Sequence, residues 1–171
     1  MKQRKNIFLI GFMGTGKSTI AKRLAEELFL EYVEVDKLIS DRENKMITQI
    51  FKEQGETYFR DLETSLLEEI QQKTGQIVSC GGGAILRETN KRIMDENGIV
   101  VLLNASAETI YERVKHSKDR PLLNENMNLD YIKQLYDKRN PLYLQAAQIV
   151  IDTNGKTIED LCDEIKRKVY I

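Results

Sequence analysis

Short apolar runs alternate along this chain with longer segments in which apolar residues recur every three or four positions. The runs occupy residues 7–10, 32–35, 77–80, 99–103 and 149–151. Nearly continuous apolar runs of this length are typical of parallel strands that helices cover on both faces. Helical spacing is clearest over residues 58–74 and 157–169, where one side of each segment is apolar. The pattern therefore predicts an α/β fold with five parallel strands.

Two long polar segments interrupt this alternation. Residues 37–54 have a helical appearance, and we expect them to pack as a small cap. Residues 115–128 show little periodicity and stand where a lid over a ligand site is expected. Since 171 residues suffice for one core without disulfides or structural metals, we predict a single domain over residues 1–171.

Composition and charge narrow the possible partners. The net charge of −1 argues against a protein that coats nucleic acid or an anionic membrane, so we expect small-molecule partners. Cys80 and Cys162 lack the spacing of a zinc site or a disulfide framework, and we expect both to be reduced packing residues. No apolar stretch has the length of a membrane span or the form of a signal peptide. We therefore expect a cytoplasmic monomer without membrane or nucleic-acid partners.

The most informative motif is Gly-Phe-Met-Gly-Thr-Gly-Lys-Ser at residues 11–18, which fills each fixed position of the phosphate-binding pattern G-x-x-x-x-G-K-[ST]. A predicted strand precedes it and helical spacing follows it, which disfavours an ordinary Gly-rich turn. The glycines let backbone N–H groups surround phosphate oxygens at a helix start. Lys17 is placed for the β- and γ-phosphates of ATP, and Ser18 for the accompanying Mg²⁺. We expect ATP to contact Gly14, Thr15, Gly16, Lys17, Ser18 and Thr19.

Two further strand ends carry residues suited to catalysis, because ligands of parallel sheets gather beyond the carboxyl ends of the strands. Glu34 and Asp36 follow the second run with a spacing that places both carboxylates on one face. One could hold Mg²⁺ through water while the other accepts a proton from a substrate hydroxyl. Gly81, Gly82 and Gly83 follow the third run and allow a substrate to approach the backbone. The alternatives are a pair of solvated acids and a flexible turn.

Four arginines are further candidates for binding anionic groups: Arg60, Arg113, Arg120 and Arg139. Because arginines are mostly surface residues, each could instead be a solvated side chain. Arg120 precedes Pro121 within the segment 115–128, where proline stiffens the backbone beside the guanidinium group. An arginine in that position could fold over phosphate oxygens.

Taken together, these residues resemble the shikimate kinase family along nearly the whole chain. The resembling segments are the phosphate-binding loop and residues 35–39, 55–63, 81–83, 120–123 and 138–143. The loop alone indicates a nucleotide-binding protein, whereas the order and spacing of all segments separate this family from other small P-loop kinases. The resemblance implies a sheet in the order 2-3-1-4-5 sandwiched by helices. It also implies a substrate-binding insertion at about residues 37–60 and a lid at about residues 115–128.

The resemblance further implies which residues bind the acceptor. Asp36 would contact the reacting hydroxyl of shikimate and act as its base. Arg60 and Arg139 would bind the shikimate carboxylate, and Gly82 would lie along the ring. At each of these four positions the chain has the residue type that the family motif has.

The resemblance also implies contacts to ATP. Lys17 would stabilise the transferring phosphoryl group, and Arg120 would close over the phosphates from the lid. Arg113 would stack on the adenine. Three positions depart from the family: Glu34 stands where an aspartate usually contacts Mg²⁺ through water, Ser40 where a glutamate is often found, and Lys156 where some members have an arginine on the adenine side. Lysine lacks the planar guanidinium that stacks on a base.

The predicted activity is direct transfer of the γ-phosphoryl group of ATP to the 3-hydroxyl of shikimate. A sugar-acid kinase such as a gluconate kinase is the alternative within this class, since it shares the loop and sheet but not the paired arginines. A GTPase-like switch is disfavoured because the D-x-x-G match at residues 95–98 precedes a predicted strand, and no N-K-x-D guanine signature occurs. A non-catalytic relative is disfavoured because Lys17, Ser18 and Asp36 are all present.

Overall fold

The computed structural model describes residues 4–116 and 128–170. Within these ranges the sheet has five parallel strands in the order β2-β3-β1-β4-β5, which confirms the predicted fold class and strand order. The strands are β1 Asn6–Ile10, β2 Glu31–Glu34, β3 Gln76–Ser79, β4 Gly98–Asn104 and β5 Ile149–Asp152. The helices are α1 Lys17–Leu28, α2 Val35–Glu43, α3 Ile47–Gln54, α4 Glu56–Ile70, α5 Glu88–Asn97, α6 Ala107–Val114, α7 Leu129–Ala146 and α8 Ile158–Val169, with a 3₁₀ helix at Ala84–Leu86.

Helices cover both faces of the sheet because successive strand side chains point to opposite faces and both sets are apolar. Phe8 and Ile10 of β1 pack in one core with Phe59 of α4. Leu9 of β1 packs in the other core with Leu24 of α1. All five residues of β1 are buried between β3 and β4. The central strand therefore delivers the chain to the phosphate-binding loop from a rigid support.

The segment after β2 differs from the predicted pattern. β2 ends at Glu34 and α2 begins at Val35, whereas the apolar run predicted a strand through that residue. Asp36 consequently lies in the first turn of a helix and not at a strand end. Asn44, with a φ of 51°, ends α2 in a left-handed conformation that asparagine tolerates. The predicted cap over residues 37–54 is thus built from two helices.

The helix predicted over residues 58–74 is α4, which begins and ends earlier, at Glu56 and Ile70. Cys80 and Cys162 are both buried and free, as expected for packing residues. Most of the predicted lid, including Arg120, lies outside the described residues. Within the described ranges, no helix has the length and apolar character needed to cross a membrane.

Candidate active site

A cavity of about 690 Å³ opens at the carboxyl edge of the sheet. Its walls come from the phosphate-binding loop with the start of α1, from the end of β2 with α2 and α3, and from the residues that follow β3. The predicted site residues on these walls are Gly14, Gly16, Lys17, Ser18, Thr19, Glu34, Asp36 and Gly82. The fold therefore brings the phosphate loop, the acidic pair and the glycine run to one place.

Glycines in left-handed conformations shape the phosphate-binding loop. Gly14 and Gly16 have φ values of 79° and 89°, which residues with a side chain rarely adopt. Gly16 caps α1 without a side-chain hydrogen bond, so the first N–H groups of the helix are available to a phosphate that the helix dipole also attracts. Thr15 is buried away from the cavity, where its hydroxyl donates to the Phe12 carbonyl at 2.8 Å. Its side chain therefore stabilises the turn of the loop.

Lys17 carries the positive charge of the loop. Its Nζ atom donates to the carbonyl oxygens of Gly11 and Phe12 at 2.8 and 3.0 Å. The side chain is nearly buried, yet the residue contributes to the cavity wall. An ammonium group beside a Gly-rich loop gives a strong site for phosphate oxygens, since charge-assisted hydrogen bonds are stronger than neutral ones.

Oxygen-bearing side chains face the loop across the cavity. Glu34, the last residue of β2, accepts a hydrogen bond from the Tyr32 hydroxyl at 2.6 Å, and burial together with this carboxylate raises the pKa of Tyr32. Asp36 lies in the first turn of α2, where the helix dipole favours a negative charge. Ser18 lies at the cavity wall, with its Oγ 3.5 Å from Ser79 Oγ. Carboxylate and hydroxyl oxygens of this kind fit Mg²⁺, which binds few protein oxygens and several others from phosphate and water.

Arg60 extends from α4 to the glycine run and is only 7 % exposed. Glu63, one turn later, pairs with it at 3.1 Å, and Glu56, one turn earlier, pairs with it at 3.3 Å. The guanidinium carbon also lies 5.2 Å from the centre of the Phe59 ring. The backbone of Gly83 lies directly against this guanidinium group. A Cβ added to Gly83 would lie 2.2–2.5 Å from three guanidinium atoms of Arg60. The guanidinium thus occupies the space that a side chain at this position would need.

Glu63 is a buried acid of the site that the sequence analysis did not single out. One of its oxygens pairs with Arg60, while Oε2 has no hydrogen-bond partner. Burial raises the pKa of Glu63 to about 7; the positive charge of Arg60 opposes this shift and the negative charge of Asp36 adds to it. The only sequence signal was its spacing of three residues from Arg60 on a predicted helix.

Arg139 reaches the same glycine run from α7 and is 5 % exposed. Its Nη1 atom has no hydrogen-bond partner and lies 3.8 Å from the position that a Cβ at Gly82 would take. Tyr143, one turn further along α7, donates a hydrogen bond to the Gly82 carbonyl. The two arginines predicted to bind a carboxylate therefore meet at adjacent glycines, although different helices carry them.

The residues predicted on the adenine side lie in different surroundings. Arg113 donates from Nη1 to the Gly14 carbonyl at 3.1 Å and to Thr153 Oγ1 at 3.4 Å, so it borders the phosphate-binding loop. Lys156 instead pairs through Nζ with Glu164 Oε2 at 2.8 Å. Of these two residues, only Arg113 contacts the loop directly.

Comparison with known proteins agrees with this geometry. The shikimate kinase family model matches residues 13–170. The shikimate kinase of Dehalococcoides mccartyi is 43 % identical over 169 residues, covering 99 % of this chain and 96 % of its own. The shikimate kinase of Persephonella marina is 44 % identical, covering 96 % and 99 %. The structure of shikimate kinase from Acinetobacter baumannii in complex with shikimate superposes with a TM-score of 0.93 at 34 % identity, covering 97 % and 93 %. The chain therefore belongs to the shikimate kinase family.

Proposed function

We propose that this protein transfers the γ-phosphoryl group of ATP to the 3-hydroxyl of shikimate, giving shikimate 3-phosphate for aromatic amino acid (chorismate) biosynthesis. One arrangement carries the proposal: a phosphate loop and a helix-terminal carboxylate share a cavity whose glycine wall is backed by two buried arginines. Family membership supports the same activity. The relative solved in complex with shikimate supports shikimate as the acceptor.

On the donor side, the phosphate loop and the start of α1 would bind the ATP phosphates, with Lys17 stabilising the transferring group. Ser18 and Glu34 would hold Mg²⁺, which supplies positive charge to the phosphates when bound. Arg113 is the better-supported candidate for a nucleotide contact, because it already borders the loop, whereas Lys156 is engaged with Glu164. The contact of Arg120 with the ATP phosphates is predicted from the sequence alone.

Asp36 is suited to be the general base. Asp36 and Lys17 line the same cavity. An acceptor hydroxyl placed between them would therefore face the phosphate site. A carboxylate in this position would take the hydroxyl proton as the oxygen attacks phosphorus, a contribution of about 10²- to 10⁴-fold in rate. The phosphoryl group would pass directly to the acceptor, and no residue needs to form a covalent intermediate.

Arg60 and Arg139 are suited to bind the substrate carboxylate. Each carries a buried nitrogen without a hydrogen-bond partner, Nε in Arg60 and Nη1 in Arg139. A buried unpaired polar group costs about 1–3 kcal/mol, and more when charged, so a carboxylate that supplies the missing acceptors would be bound strongly. A Cβ at Gly82 would already be in ordinary contact with Arg139 Nη1 at 3.8 Å, so the absence of a side chain lets the acceptor ring approach the backbone beside this arginine.

The test is an acceptor panel in the presence of MgATP: shikimate, quinate, gluconate and nucleoside monophosphates, with ADP release as the readout. We expect shikimate to be phosphorylated with the highest kcat/KM. A higher kcat/KM with gluconate would replace this proposal by the sugar-acid kinase alternative. The variant Arg60→Lys keeps the charge but loses the forked geometry, so it should raise KM for shikimate more than KM for ATP.

We further propose that the protein is a cytoplasmic monomer, a proposal that rests on the sequence. No apolar stretch of the sequence has the length of a membrane span, and the predicted partners are small molecules. Light scattering should give a mass near 19.8 kDa. A stable species of twice that mass would contradict the monomer.

A further inference from the structure

The hydroxyl of Tyr143 occupies a central position behind the glycine wall of the cavity. Tyr143 is 1 % exposed and lies one turn after Arg139 on α7, so both side chains leave the same face of the helix. Its ring belongs to the larger of the two cores, whereas its hydroxyl points out of that core to the Gly82 carbonyl. An aromatic ring in a core needs no hydroxyl, so the polar group has a separate function.

The hydroxyl donates a hydrogen bond to the carbonyl of Gly82. Burial raises the pKa of Tyr143 to about 12, against the lowering effect of the positive charge of Arg139, so the hydroxyl keeps its proton and stays a donor at physiological pH. The hydroxyl thus ties the backbone of the glycine run to the face of α7 from which Arg139 also extends.

The other arginine is reached through the next peptide bond. Fixing the Gly82 carbonyl fixes the plane of the peptide between Gly82 and Gly83. Gly83 lies against the guanidinium of Arg60, where an added Cβ would come within 2.2 Å of a nitrogen. The position of that peptide therefore limits where the Arg60 guanidinium can lie.

We propose that Tyr143 is a positioning residue that sets the separation of the two guanidinium groups and thereby the fit of the acceptor carboxylate. This inference rests on the proposed function, because it assumes that both arginines bind that carboxylate. Tyr143 acts on binding through Arg139 and the glycine backbone and takes no part in proton transfer at Asp36.

Removal of the hydroxyl has a defined consequence. Phenylalanine would keep the ring in the core but leave the Gly82 carbonyl without its donor. The Gly82–Gly83 peptide could then rotate, and Arg139, which already has one unpaired nitrogen, could turn away from the glycine run. Recognition of the carboxylate should suffer more than binding of ATP, which uses other walls of the cavity.

The test compares Tyr143→Phe with Tyr136→Phe. Tyr136 is on the same helix, and its hydroxyl donates to Asn104 Oδ1 at 2.8 Å, away from the glycine run. We expect Tyr143→Phe to raise KM for shikimate by about tenfold, the effect of leaving a buried carbonyl without its donor, with KM for ATP unchanged within about twofold. Tyr136→Phe should leave both KM values near those of the parent enzyme.

The neutral methyl ester of shikimate separates positioning from a general structural effect. If Tyr143 acts through carboxylate recognition, Tyr143→Phe should weaken binding of the ester much less than binding of shikimate. In an Arg139→Lys background the effect of Tyr143→Phe on shikimate should also shrink, because coupled residues are not additive. This second comparison still decides the matter if the single variant is less stable than expected.

Two outcomes would overturn the inference while leaving the proposed function intact: an unchanged KM for shikimate in Tyr143→Phe, or an equal loss for shikimate and its methyl ester. By contrast, failure of the parent enzyme to phosphorylate shikimate would refute the proposed function itself. The parent assay therefore comes first, and the variants are compared only on an acceptor that it uses.

Discussion

Substitution of Gly83 by alanine gives the most direct test of how the arginines are arranged. An added Cβ would lie 2.2 Å from Nη2, 2.4 Å from Cζ and 2.5 Å from Nη1 of Arg60, whereas ordinary contact begins at 3.4 Å. Gly83 has a φ of −102°, which alanine adopts without strain, so the clash is the main perturbation. To relieve it, the guanidinium of Arg60 must move by about 1 Å, a misplacement that can cost about 10²-fold in rate.

We therefore expect Gly83→Ala to lower kcat/KM for shikimate by about 10²-fold, chiefly through KM, while KM for ATP changes by less than about twofold. Steady-state kinetics with each substrate varied in turn measures both effects. The decisive comparison repeats Gly83→Ala in the Arg60→Lys background, where the slender lysine leaves room for the new methyl group. A loss as large there as in the parent enzyme, or a normal KM for shikimate in the single variant, would refute the reasoning.

Three other predictions address single groups of the site. Asp36→Asn should lower kcat by about 10²-fold or more while nucleotide titration shows near-normal ATP affinity. Arg113→Ala should raise KM for ATP several-fold and leave KM for shikimate unchanged, as steady-state kinetics will measure. The pKa of Glu63 is raised to about 7, so its contribution to stability is complete below its unfolded pKa of about 4.5 and is lost as the pH rises through 7. Urea unfolding between pH 5 and pH 8 should therefore show a decline in the parent protein that is smaller in Glu63→Gln.

Secondary structure was predicted best where the local sequence pattern and the burial imposed by the fold both require apolar residues. The apolar runs predicted the inner strands β1, β3 and β4 most directly, because these strands are covered on both faces, whereas the edge strands β2 and β5 are partly exposed. The boundary at Val35 was wrong for a related reason: a buried apolar residue satisfies a strand end and a helix start equally well, and periodicity cannot distinguish them. The strand order came from the family resemblance and not from the runs, since apolar patterning carries no information on which strands are neighbours.

Glu63 and Tyr143 escaped prediction, and Gly83 was predicted only as part of a glycine run open to substrate, because the importance of these residues arises from contacts between distant segments. In the sequence, Tyr143 is an ordinary aromatic residue of a predicted helix. Its contact with the Gly82 carbonyl is visible only once α7 is packed behind the glycine run. Gly83 reads as part of a flexible turn until Arg60 is seen to fill the space beside it. Residue type and spacing predicted the groups that touch ligands, because catalysis demands particular chemistry there. They could not predict the groups that position those residues, because positioning depends on tertiary distance.

The distribution of unsatisfied polar atoms links stability to function. Among the described residues, Arg60, Glu63 and Arg139 each bury a polar side-chain atom without a hydrogen-bond partner. Such atoms are costly in a folded protein, and evolution tolerates local violations of this kind mainly at functional sites. For Arg60 and Arg139 the same burial makes the site selective, because a carboxylate supplies the acceptors that their nitrogens lack, whereas a neutral group leaves charged donors unpaired. Specificity for an anionic acceptor and a local loss of stability therefore have one physical origin in this protein.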